Sequence, residues 1–172
     1  MKWYHIDKKY TTNYLLLSVL SFLYVFPVFL VNIYFQDDLG WSLLGSLGIK
    51  ADGRPLTEYI ILALCGGEPV ADPAPLPLIL GVLFLSYALI LYAQTNLYYI
   101  SNRYALLAVL LFIITNPFTM EYLFYRCGCI GALTSLGCPF IIFSIPDTAS
   151  KLKMFAYSSL LSMALMSLHP AP

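Results

Sequence analysis

Residues Tyr14–Phe35, YLLLSVLSFLYVFPVFLVNIYF, contain no charged side chain and are followed at once by Gln36-Asp37-Asp38. A helix of that length rises about 33 Å at 1.5 Å per residue, enough to cross a bilayer's hydrocarbon of about 30 Å. The run is too long for the core of a cleaved leader and is followed by acids rather than a small-residue cleavage site, so it reads as a retained first span. Pro27 is expected to kink it. The whole chain has the same character: 172 residues, 60% hydrophobic, 10% charged, mean hydropathy +0.78 and no net formal charge. That is more apolar surface than a soluble domain of this size can hide.

Outward from this stretch, apolar runs predict further spans at Leu76–Gln94, Tyr104–Pro117, Ile130–Ile145 and Met154–Leu168. The expected fold class is all-α, a polytopic bundle of about five transmembrane helices. Several runs are short, and Tyr98, Tyr99, Tyr104, Tyr122 and Tyr125 are expected to complete the crossings as interfacial aromatics. Lys2, Lys8, Lys9, Arg103, Lys151 and Lys153 fall on one side, against Lys50, Arg54 and Arg126 on the other. The positive-inside rule then puts residues 1–13 in the cytoplasm, the loop 36–75 outside, and the later spans in 76–168. The chain reads as a single membrane domain, 1–172.

The outer loop carries six acids, Asp37, Asp38, Asp52, Glu58, Glu68 and Asp72, against Lys50 and Arg54. An acid pair at a membrane edge has to be solvated, paired or used, which makes Asp37 and Asp38 the first functional candidates. Arg54-Pro55-Leu56-Thr57-Glu58-Tyr59-Ile60 predicts a short interfacial helix: Pro55 suits its first turn, Glu58 complements its positive end, and Gly66-Gly67 closes it. Leu56, Tyr59, Ile60, Ala63 and Leu64 share one face, expected to meet lipid or the bundle. Arg54 suits a phosphate or one of the acids. Asp72-Pro73-Ala74-Pro75-Leu76-Pro77 reads as a stiff, extended structural lead into the second span. In the second outer loop, Glu121 and Arg126 read equally as a local ion pair or as functional groups. Cys65, Cys127, Cys129 and Cys138 lack metal-site spacing and read as small apolar residues.

An outward acid pair, a nearby arginine and an interfacial helix fit sugar transfer from a lipid-linked donor. A carboxylate takes the acceptor hydroxyl's proton while a cation stabilises the departing phosphate. Tyr34-Phe35-Gln36-Asp37-Asp38-Leu39-Gly40, Ala51-Asp52-Gly53-Arg54-Pro55-Leu56-Thr57-Glu58-Tyr59 and Pro75-Leu76-Pro77-Leu78-Ile79-Leu80, with Asn116-Pro117-Phe118, Glu121 and Tyr125-Arg126 after them, carry a more specific signal. In that order the chain, from about Asn32 onward, resembles the bacterial serotype-converting O-antigen glucosyltransferases.

The resemblance implies a GT-C architecture in the bacterial inner (cytoplasmic) membrane, with an undecaprenyl-phosphate-glucose donor, a polysaccharide acceptor such as lipopolysaccharide O-antigen, the bilayer as surroundings and no nucleic acid. It points to Asp38 as base or metal-organising acid and Asp37 as its partner. Arg54 would contact the phosphate, with Glu58, Glu121 and Arg126 as further substrate-binding candidates. A divalent metal stays an open alternative, with Asp37, Asp38 and Glu121 as its oxygen donors. Members of that family are longer, so the expectation is an N-terminal part of a longer architecture, with its activity alone left open. Two other classes also stay open: a small carrier or flippase for the lipid-linked sugar, and an accessory subunit. A carrier would place charged residues inside the later predicted spans, and there are none.

Overall fold

The computed structural model describes residues 4–31, 43, 49, 53–67, 72–146 and 150–168. Among them are seven helices and no strand. They are α1 (Lys8–Val31), α2 (Pro55–Cys65), α3 (Leu76–Asn96), α4 (Arg103–Ile114), α5 (Pro117–Leu123), α6 (Cys129–Ile142) and α7 (Lys151–Leu168). The all-helical class follows from the solvent: in hydrocarbon every backbone polar group needs an internal partner, and a helix supplies one within the segment.

Two helices, α1 and α3, are long and apolar enough to cross a membrane, and α4 with α5 makes a third if the bent pair counts as one span. The break between α4 and α5 turns the chain by 59°. Its cause is local, because Asn116 caps α5 by accepting from the Phe118 N–H and Pro117 cannot continue α4's hydrogen bonding. α6 has only 14 residues, and α7 carries Lys151, Lys153 and four serines over its 18. Length and composition therefore do not establish the expected five spans. Helix boundaries also moved: α1 begins at Lys8, six residues before the apolar run, and α7 begins three residues before Met154.

The tightest packing joins α3 and α6. Gly81 of α3 faces Leu133, and Gly137 of α6 faces Phe84 and Ala88, so closely that a Cβ on either would lie under 3 Å from a neighbouring side chain. α1 lies against α3 and α4 through Tyr10, Leu17, Ser21 and Val25, leaving Leu15, Val19, Leu23, Phe26 and Leu30 outward. α7 docks on α6 and α2, with Leu168 its one buried residue.

Hydrogen bonds sort the helix ends. At one end, the Asp7 N–H donates to Gln94 Oε1 (3.0 Å), the Gln94 amide to the His5 carbonyl (3.3 Å), and Asn96 Nδ2 to the Phe143 carbonyl (3.0 Å). The end of α3 and the start of α4, and the end of α6 and the start of α7, lie at this end too. At the other, the Thr57 hydroxyl donates to the Leu168 carbonyl (2.6 Å) and Arg126 pairs with Asp72. Lys8, Lys9, Arg103, Lys151 and Lys153 fall at the first end, and Arg54, Glu58, Asp72, Glu121 and Arg126 at the second.

Val at Gly137 or Gly81 would force α3 and α6 apart. Each substitution is expected to destabilise the bundle by about 1–3 kcal/mol, seen as a lowered unfolding midpoint in detergent, whereas Val109→Ala on an exposed face of α4 shifts it little.

Candidate functional site

The second end is built from α2, the Asp72 turn before α3, the Arg126 turn between α5 and α6, and the ends of α1 and α7. α2 begins as expected: Pro55 occupies its first turn, Glu58 lies in that turn, and Gly66 closes it in the left-handed conformation (φ 78°), with the Gly67 N–H reaching the Leu62 carbonyl at 2.9 Å. Thr57 and Ile61 are its buried residues, while Tyr59 and Ala63 face outward. Of the apolar face read from the sequence, Tyr59 and Ala63 point outward while Ile60 and Leu64 pack against the buried cluster beside Thr57 and Ile61. Thr57 sits against Gly131 at the start of α6, and Ile61 joins Ile49, Cys127 and Ile130 in a small apolar cluster. The short α2 is thereby fixed to α6 and α7.

Asp72 and Arg126 meet although 54 residues separate them. Asp72 uses both oxygens: Oδ1 accepts from the Ala74 N–H (3.0 Å), forming the turn that leads into α3, and Oδ2 accepts from Arg126 Nη2. Arg126 lies in the turn between α5 and α6, anchored where the Phe124 and Tyr125 N–H groups reach back to α5. Both side chains are largely withdrawn from solvent, 18% and 22% exposed. Beside them is a cavity of about 240 Å³, walled by Val28, Phe29 and Val31 at the end of α1, Ala74, Pro75 and Leu78 at the start of α3, and Leu123–Arg126.

The expected local pair of Glu121 with Arg126 does not form: Glu121 is exposed and has no ion pair among the described residues. It lies on α5, whereas Arg126 lies beyond that helix and takes the acid of the preceding loop. The lead into α3 is likewise not a continuous extended strut, since Ala74-Pro75 forms a turn and Pro77 is already helical. Arg54 caps nothing with its side chain; it is half-buried, and its Nε has no hydrogen-bond partner among the described residues. Asp37 and Asp38 lie outside the described residues. Among those described, no three His, Cys, Asp or Glu side chains gather as a metal would need. None of the four cysteines forms a disulfide among the described residues.

No family model matches the chain, and no solved structure does. It is similar to an uncharacterized 55.3 kDa protein of Salmonella phage P22, named for its place in the gtrB 5' region. The two are 33% identical over 174 residues, covering 99% of this chain and 34% of the phage protein. The chain thus spans about a third of the length of the curated relative it matches.

Asp72 is the residue that sequence reasoning passed over as purely structural. The one signal for it is indirect: Arg126, close to two predicted spans, needs an acid on its own side of the bundle.

Thr57→Val keeps the shape of the α2 contact but removes its hydroxyl and leaves the Leu168 carbonyl without that donor. The expected loss is about 1–2 kcal/mol locally, with faster hydrogen exchange confined to residues 55–65 and the end of α7.

Proposed function

We propose that this chain is the donor-side portion of a membrane glucosyltransferase. Glucose carried on undecaprenyl phosphate is moved to a surface polysaccharide, such as lipopolysaccharide O-antigen, at the outer face of the bacterial inner membrane. The observation that carries the reading is the Asp72–Arg126 pair beside a cavity against the end of α1, at the end of an apolar bundle that also holds Arg54 and Glu58. Asp37 and Asp38 follow that helix by six and seven residues in sequence. The similarity to a phage protein named for its place beside gtrB is a second support, of neighbourhood only.

In this reaction Asp38 takes the proton of the acceptor hydroxyl as that oxygen attacks the anomeric carbon, and Asp37 holds Asp38 in place. The bond from the anomeric carbon to the phosphate oxygen breaks, and the departing polyprenyl phosphate needs a cation. Arg54 and Arg126 are the cations at this end. α2, which packs on α6 and α7, presents Tyr59 outward at the same end.

The orientation belongs to the same proposal. α1, α3, the bent α4–α5 pair, α6 and α7 make five crossings, with Lys8, Lys9, Arg103, Lys151 and Lys153 in the cytoplasm. A reporter inserted after Gly67 is expected to show the outer compartment, and one after Ser101 the cytoplasm. The same compartment for both refutes the orientation.

The function is tested by glucose transfer in membranes containing the expressed chain, undecaprenyl-phosphate-glucose and an O-antigen acceptor. Asp38→Asn is expected to lower transfer by about 10²–10⁴-fold with insertion unchanged, the usual range for a lost general base. A folded, inserted chain with no transfer, or an Asp38→Asn variant as active as the natural sequence, counts against this assignment.

A further inference from the structure

A guanidinium withdrawn from water beside an apolar cavity calls for an anion, and the fold supplies one in Asp72. The arrangement has three parts that act together. The cavity wall is apolar where it meets the membrane helices, through Val28, Phe29 and Leu78, and its cation comes from Arg126. At the same end of α1, Leu30 is exposed and so is Val31, which walls the cavity, so the cavity adjoins exposed apolar surface. Asp72 is also held through its other oxygen, which accepts from the Ala74 N–H (3.0 Å) in a bond that does not involve Arg126.

We propose that this cavity binds the head-proximal end of a polyprenyl phosphate, whose phosphate displaces Asp72 as the partner of Arg126. The lipid class rests on the donor of the function proposed above. A phosphate offers more negative charge and more acceptor oxygens than a carboxylate, and a planar guanidinium matches it in two-point geometry, so the exchange favours the lipid. At about 240 Å³ the cavity takes only the first part of the chain, and the remainder lies along α1 in the bilayer. Asp72 is a stand-in anion: it keeps Arg126 neutralised at the membrane edge until substrate arrives, and reclaims it when the lipid leaves.

This role gives the two partners opposite signs. In an ion pair that only ties the loop before α3 to the turn before α6, removing either charge weakens the site. In an exchange, removing Arg126 weakens lipid binding and removing the Asp72 charge strengthens it.

The test uses the full chain in nanodiscs of phosphatidylcholine, with undecaprenyl phosphate as probe and bound lipid counted by native mass spectrometry. Undecaprenol and inorganic phosphate are the comparison probes. Undecaprenyl phosphate is expected to bind, undecaprenol at least about tenfold more weakly, and inorganic phosphate not to displace the lipid. Arg126→Gln is expected to weaken binding by about tenfold or more, the scale of one charge-assisted hydrogen bond. Arg126→Lys recovers part of that loss, and Asp72→Asn binds more tightly than the natural sequence. Asp72→Asn weakening binding as Arg126→Gln does would overturn the exchange and leave a structural tie. Equal binding of the alcohol, or displacement by free phosphate, would overturn the lipid-phosphate site. Should Arg126→Gln fail to fold, Arg126→Lys and Asp72→Asn decide. Because the probe carries no glucose, loss of this site and loss of the transfer reaction are separate results.

Discussion

The contact between α3 and α6 is the one on which the remaining helices depend. In a bilayer the tails solvate leucine as well as another helix does, so association comes from close packing and is concentrated where small residues let backbones approach. Gly81 and Gly137 provide that approach from opposite partners, one receiving Leu133 and the other Phe84 and Ala88. Once α3 and α6 are joined, α1 packs on α3, α4 packs chiefly on α1, and α5 and α7 pack on α6. The two halves meet at the ends, where Asn96 reaches Phe143 on one side and Asp72 reaches Arg126 on the other. The end that holds the Asp72–Arg126 pair is thus a product of the α3–α6 seam: α3 brings the Asp72 turn, and α6 brings Arg126.

The same solvent sorts charge. Among the described residues every charged side chain belongs to a helix terminus, a short end helix or a connection, because a charge at mid-depth lacks water. The partition is uneven: five cations with Asp7 lie at one end, and three acids with two arginines at the other. The first composition suits a surface facing anionic headgroups. The second has its charges set against one another, and two are drawn together into the pair beside the cavity. One arginine and one acid, withdrawn from solvent next to apolar walls, are held in a state that another anion is able to compete for.

The helices were legible because their cause is local. Uncharged runs, Asn116-Pro117, Pro55 and Gly66-Gly67 are signals that lie within the segments they govern, and α2 begins and ends where they put it. The number of crossings was less legible, since α6 and α7 depend on neighbours for what their own length and composition lack. The face of α2 shows the same limit: apolar spacing marked Tyr59 and Ala63, but whether that side meets lipid or protein depends on α6 and α7, which take Thr57 and Ile61. The site was least legible. Glu121 and Arg126, close in sequence, are not paired, and the acid that Arg126 takes lies 54 residues earlier in a proline-rich stretch with no periodic pattern to mark it. Asp37 and Asp38, the acids that the sequence put first, lie outside the described residues.

The polar groups within the helices bear on what kind of protein this end serves. Ser21, Thr95, Thr134, Ser135, Ser144 and Ser167 each direct the hydroxyl to a carbonyl of the preceding turn. A hydroxyl so engaged serves its own helix and contributes little to a path for a solute. Moving a phosphate-bearing headgroup across the bilayer calls for partners at successive depths, usually charged or at broken helices near the midplane. The described helices have no charge at such depths, and the break between α4 and α5 lies at the end that also holds Asp72 and Arg126. Charge is therefore confined to the two ends among the described residues, with apolar helices between them. A phosphate-bearing headgroup crossing the bundle would meet no charged partner between those ends among the described residues.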